Sequence, residues 1–174
     1  KGPRGRWTLK SPQHPLNLEA LVSAYPGVML VQTHRDLMTS MASLASLIRA
    51  TRRPMFPDTD PQKLGAEIIG TWSTVLERGM EARQDPAIDA LVVDLSYGEL
   101  VADPLRSVEQ IYERFGLPMT TEHRKLITEF VATGAGTGHG SHQYSPDQFG
   151  IEKSDLLKLV PNYMDRFTSL ISDR

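Results

Sequence analysis

The stretch from Val28 to Ser43, Val-Met-Leu-Val-Gln-Thr-His-Arg-Asp-Leu-Met-Thr-Ser-Met-Ala-Ser, limits the possible folds more than any other part of the chain. Val28 to Val31 is a short apolar run with β-branched residues, the pattern of a buried parallel strand. Thr33 to Asp36 is polar and reads as a turn. Met38, Met41, Ala42, Ala45 and Ile48 then recur at helical spacing. The order is strand, polar turn, helix, and in open α/β sheets ligands bind at the carboxyl ends of strands. A helix N-terminus adds free N–H groups and partial positive charge, which suit an anion. Arg35 lies at the strand end and Ser43 eight residues later, so a guanidinium and a hydroxyl are available to one phosphate.

The flanking segments extend this pattern. Arg6 to Lys10 reads as a strand with Trp7 and Leu9 on one face, and Ser11 to Pro15 as a proline-fixed turn. Asn17 suits an N-cap, with Leu18, Leu21, Val22 and Tyr25 as the stripe of a helix ended by Pro26-Gly27. With the central strand these elements predict a right-handed strand–helix–strand crossover. The second helix is predicted to about Thr51, then a loop to Asp60. Asp60-Pro61 opens a long helix with Leu64, Ile68, Trp72, Val75 and Gly79 on its buried face, Trp72 read as core. Leu91 to Leu95 is a third strand, and Ser96 to Val101 a turn. Asp103-Pro104 starts a helix that ends at Gly116, and a further helix carries Leu126, Ile127, Phe130 and Val131. Thr133 to Gly140 is glycine-rich but lacks the Lys-Ser/Thr of a nucleotide P-loop. A last amphipathic helix runs from Leu156 to Ile171, with Pro161 predicted to kink or interrupt it.

Composition narrows the functional classes. A chain of 174 residues makes one domain or most of one, and its net charge of −2 gives no reason to expect nucleic-acid binding. With no cysteine, thiol catalysis, disulfides and cysteine-ligated zinc are excluded. His139 and His142 have no cysteine or paired carboxylates near them, so no metal site is expected. No apolar run approaches the ~20 residues of a membrane span, and no leader is visible, which is compatible with a cytoplasmic location. The start at Lys1-Gly2-Pro3-Arg4 reads like the interior of a longer protein. Basic residues cluster at Lys1, Arg4, Arg6 and Lys10, and again at Arg49, Arg52 and Arg53.

Four segments, in order, resemble motifs of bacterial sulfotransferases that use 3′-phosphoadenosine 5′-phosphosulfate (PAPS). Leu9-Lys10-Ser11-Pro12-Gln13-His14 resembles the family's Lys-Ser-Pro-x-His segment. Thr33-His34-Arg35-Asp36 with Ser43 resembles its 3′-phosphate motif, Leu37 replacing the usual Pro. Tyr97 to Pro104 resembles the Tyr-Glu-Asp-Leu-x-x-Asp-Pro segment, with Gly98-Glu99 in place of Glu-Asp. His142 to Gly150 resembles the His-x-Tyr-Ser-x-x-x-Phe-Gly signature, where no single role is assigned. The resemblance implies Arg35 and Ser43 at the 3′-phosphate, Tyr97 at the adenine, Lys10 against charge on the transferring group, and His14 as general base. In eukaryotic cytosolic relatives the base lies two residues after the Lys rather than four. His34 is read as a structural neighbour of Arg35.

The implied fold is α/β, a short parallel sheet flanked by helices: the incomplete core of a P-loop-NTPase-like sulfotransferase. No Gly-Thr-x-x-Ser-Gly-Thr-Thr-like 5′-phosphosulfate loop occurs in residues 1–174, so the chain reads as the C-terminal part of one sulfotransferase domain. It is expected to hold the 3′-phosphate and adenine side of a PAPS site, with 3′,5′-ADP as product, and to be inactive alone. The acceptor is expected to be a small molecule, a carbohydrate or a lipid bearing a hydroxyl or amine. An uncovered sheet edge favours homo-oligomers. A nucleotide kinase with its P-loop upstream and a non-catalytic α/β interaction module remain as rival readings.

Overall fold

The computed structural model describes residues 7–134 and 144–171. A two-stranded parallel sheet, β1 (Leu30–His34) beside β2 (Val92–Ser96), is surrounded by nine helices among the described residues. A short 3-10 turn (His14–Asn17) leads into α1 (Leu18–Ala24). After β1 come α2 (Leu37–Arg52), α3 (Pro61–Ala82) and the one-turn α4 (Pro86–Asp89). β2 runs straight into α5 (Tyr97–Ala102), followed by α6 (Pro104–Arg114) and α7 (Thr121–Ala132). The last described part holds a 3-10 turn (Pro146–Phe149), α8 (Lys153–Leu159) and α9 (Pro161–Ile171).

Most helix starts follow a common rule. Asp36, Asp60, Asp85, Ser96, Asp103 and Thr120 each accept a hydrogen bond from a free N–H of the turn they precede. Pro61, Pro86 and Pro104 occupy first helical positions, where the missing N–H costs nothing. Pro161 interrupts the last amphipathic stretch as expected and opens α9.

The core lies between α2, α3, α8 and α9. Met41, Ala45, Leu64, Ile68, Phe149, Leu156, Val160 and Phe167 are buried there. Gly65 lets α3 approach the Phe149 carbonyl, because any Cβ would collide with it. Phe149, at 2% exposure, is the core anchor of the His142–Gly150 motif, and Gly150 turns the chain with φ of 60°. The rest of that motif up to Gln143, most of the glycine-rich loop with His139, and Lys1, Arg4 and Arg6 lie outside the described residues.

Several expectations are corrected. Residues 7–10 form no strand, so no crossover starts there; the parallel connection runs instead from β1 through α2, α3 and α4 to β2. The central strand is shifted to Leu30–His34, because Thr33 and His34 belong to it rather than to a turn. Ser96 to Val101 contains the helix α5, its N-cap Ser96 accepting from the Glu99 N–H. Trp72 packs on the core but also lines a cavity. The apolar stripe of α7 is exposed, with Leu126 at 54% and Phe130 at 61%.

Candidate functional site

The register of the sheet creates the site. His34 pairs with Ser96, so the two parallel strands end level and their next residues, Arg35 and Tyr97, emerge side by side. The Arg35 guanidinium lies over the Tyr97 ring, 4.6 Å from its centroid. Such cation–π stacking is worth ~0.5–1 kcal/mol near a surface, enough to bias one rotamer but weak enough to yield to an anion.

A cavity of about 440 Å³ opens beside this pair. Lys10, His14, Arg35 and Tyr97 all line it, although they come from four segments spread over the chain. Lys10 is exposed, while His14 and Arg35 are half-buried. Leu37, Met41, Trp72 and Leu76 give the cavity an apolar wall. Two cationic groups, one imidazole and the Tyr97 ring therefore share a concave space at the carboxyl ends of parallel strands, where α/β folds bind ligands.

Ser43 is not among the residues lining this cavity; Ser40, one turn earlier on α2, is. Ser40 carries no signal in the sequence, where it is one small polar residue between Thr39 and Met41. At 100° per residue, Ser40 and Ser43 lie within about 60° of each other around the helix. The start of α2 also differs from expectation. The Asp36 carboxylate accepts from the Thr39 N–H and the Thr39 hydroxyl, each at 2.7 Å. That helix end is therefore already capped by a carboxylate.

Beneath the cavity lies a buried polar network missed in the sequence. His34 is fully buried and stacks on Phe167, with ring centroids 4.0 Å apart. Its Nε2 is 2.8 Å from Asp94 Oδ1, and its Nδ1 is 2.8 Å from the Tyr163 hydroxyl. An ionised carboxylate only accepts, so Nε2 carries a proton and donates to Asp94, while Nδ1 and the Tyr163 phenol share the second bond. Arg83 donates to both Asp94 oxygens at 2.8 and 2.6 Å, to Gln32 at 3.0 Å and to Asp89 at 2.7 Å. Arg166 donates to Asp89 from α9.

Burial alone would raise the Asp94 carboxyl, but hydrogen bonds from Arg83 and then His34 outweigh it and hold it well below the ordinary range. Burial works against the Arg83 charge too, and Asp94 and Asp89 more than offset it, so the guanidinium is held more firmly protonated than usual. Burial, reinforced by the negative Asp94, pushes the Tyr163 phenol up. The one legible trace was the alternation of Gln32 and His34 at i, i+2, which places both on one strand face. The partners Arg83, Asp94 and Tyr163 are dispersed over 80 positions, so nothing local marks them.

Parallel strands feeding helices, with a cation and an aromatic ring at their level ends beside a cavity, define an α/β protein with a candidate site at the sheet's carboxyl edge. The chain belongs to the sulfotransferase family, whose sequence model matches residues 1–121. It is similar to the crystal structure of sulfotransferase STF9 from Mycobacterium avium, with a TM-score of 0.83 and 25% identity over 94% of this chain and 42% of that one. It is also similar to sulfotransferase STF1 from Mycobacterium tuberculosis H37Rv, with a TM-score of 0.69 and 34% identity over 89% of this chain and 39% of that one. The chain thus spans about two fifths of the length of these solved structures. No curated protein matches it. Among the described residues, no helix is long and apolar enough to cross a membrane.

Proposed function

We propose that this chain supplies the 3′-phosphate and adenine side of a PAPS site in a sulfotransferase acting on a hydroxyl or amine of a small-molecule acceptor, a carbohydrate or lipid included. The observation that carries the reading is the convergence of Lys10, His14, Arg35 and Tyr97 on one cavity. Those residue types suit the nucleotide. A guanidinium can take a phosphate through two N–H groups, and a tyrosine face can take a purine. When bound, PAPS supplies an activated sulfuryl group whose S–O bond to phosphate breaks as the bond to the acceptor forms.

On this reading each residue has a role. Arg35 holds the 3′-phosphate while Tyr97 contacts the base. Ser43 is retained as a second 3′-phosphate ligand, reached along the α2 face on which Ser40 already meets the cavity. Lys10, exposed at the mouth, meets negative charge developing on the leaving phosphate. His14 takes the acceptor proton as the acceptor oxygen or nitrogen attacks. No Gly-Thr-x-x-Ser-Gly-Thr-Thr-like loop occurs in the chain, so it performs no sulfuryl transfer alone.

Titration of Arg35→Ala against wild type with 3′,5′-ADP and 5′-AMP tests the central role. A hydrogen bond to a charged group is worth ~1.5–3 kcal/mol, so 3′,5′-ADP should bind roughly 10- to 150-fold more weakly to the variant. Binding of 5′-AMP should change little. An equal loss for both nucleotides would remove the 3′-phosphate assignment.

A further inference from the structure

We infer that Tyr163 and His34 are positioning residues for the nucleotide site: together they fix the end of β1 and thereby set the Arg35 guanidinium over Tyr97. The functional meaning of this rests on the reading of Arg35 as the phosphate ligand; the positioning itself does not. Tyr163 belongs to α9, outside the residues 1–121 that the family model matches.

The geometry is specific. Arg35 follows directly on His34, the last residue of β1. His34 is held on three sides at once, by the Asp94 carboxylate, by the Tyr163 hydroxyl, and by the Phe167 ring stacked on its face. Asp94 belongs to β2, whose last residue Ser96 precedes Tyr97. The His34–Asp94 bond thus ties the ends of the two strands that deliver Arg35 and Tyr97. The Tyr163 bond ties the same ring to α9.

Tyr163 also lines the cavity that contains Arg35, Lys10 and His14. Its backbone N–H donates to Glu77 of α3 at 3.2 Å, and the neighbouring Asn162 side chain donates to the other Glu77 oxygen. The start of α9 is therefore anchored on α3 and reaches across to hold β1. Loss of the Tyr163 hydroxyl leaves ring packing in place but frees His34 Nδ1 and one restraint on the Arg35 backbone. A phenylalanine there fills nearly the same volume, so the core persists while the positioning is lost.

The test needs no nucleotide. The guanidinium carbon of Arg35 lies 4.6 Å from the Tyr97 centroid, so the Arg35 side-chain protons next to it should be shifted upfield by the ring current in the NMR spectrum of the labelled chain. In Tyr163→Phe and in His34→Asn that upfield shift is expected to fall by half or more. Leu64→Ala, which removes packing at the far end of α3, should cost comparable or greater stability and leave the Arg35 resonances in place. Arg35 resonances that stay at wild-type positions in Tyr163→Phe overturn the inference, as do shifts no larger than those in Leu64→Ala. Titration with 3′,5′-ADP is a separate arm. If Arg35 moves in Tyr163→Phe but Arg35→Ala binds both nucleotides as wild type does, the positioning stands and the phosphate reading fails.

Discussion

Removing the Arg83 guanidinium should be the most damaging single side-chain change in the buried network. In Arg83→Met the apolar stem is retained and four hydrogen bonds are lost, to Asp94 twice, to Gln32 and to Asp89. The Arg83 side chain is 1% exposed, so the pairs are shielded from water on its side. Breaking a buried pair by removing one partner costs ~3–5 kcal/mol, because the other charge stays behind. Here Asp94 keeps His34 and Asp89 keeps Arg166, which argues for the lower end, ~3 kcal/mol. For a domain of this size the urea slope is ~1–3 kcal/mol/M, so the unfolding midpoint at pH 7 should fall by roughly 1–3 M. The pH dependence gives a sharper check. The folded Asp94 carboxyl titrates below its unfolded value of ~3.9, so its contribution is fully present above about pH 4 and is lost as pH falls through the folded value. Without Arg83 that depression largely disappears. The gap between wild type and Arg83→Met should therefore be widest near neutrality and narrow below about pH 4. A gap that holds constant or widens on acidification would refute this account of Asp94.

Further outcomes follow from packing and from the proposed chemistry. Gly65→Ala drives a methyl into the Phe149 carbonyl, and overpacking of this kind should cost ~1–3 kcal/mol or more, read as a lower thermal midpoint. Gly79→Ala places its Cβ 2.9 Å from the Pro15 Cβ, so the 14–17 segment should shift and the His14 ring resonances with it, while the α3 N-terminus stays unchanged. In an intact sulfotransferase that contains this chain, His14→Ala should lower kcat by ~10²–10⁴-fold and remove the acid limb of the pH–rate profile; a kcat near wild type would assign the base elsewhere. The purified 174-residue chain should show no transfer from PAPS to any acceptor, which a sulfate-release assay checks.

What could be read from the sequence follows from how local each signal is. The Asp-Pro pairs at 60–61 and 103–104 marked helix starts correctly, because a cap and a first-turn proline act on neighbouring backbone. The same pair at 85–86 opens the one-turn α4. Ser96 with Glu99 three residues on is a capping signal, but behind a strand it was read as a turn. β1 was expected to end at Val31, three residues short of His34, because Thr33 and His34 are polar; His34 is nevertheless buried, since Asp94 and Tyr163 satisfy it from 60 and 129 positions away. Periodicity correctly found the helix carrying Leu126 and Phe130, yet could not tell that its apolar stripe would stay exposed. Of the candidate site, Lys10, His14, Arg35 and Tyr97 were legible through the resemblance to sulfotransferase motifs, and the structure brings all four to one cavity. Ser40, Arg83 and Tyr163 were not, because their roles depend on which segments meet in space.

The central claim is that this chain recognises a 3′-phosphorylated adenine nucleotide, and calorimetric titration of the wild-type chain with 3′,5′-ADP and 5′-AMP tests it most directly. The account requires 3′,5′-ADP to bind at least about tenfold more tightly, the lower limit for one charge-assisted contact. Equal affinity for the two nucleotides, or binding of neither, would contradict it.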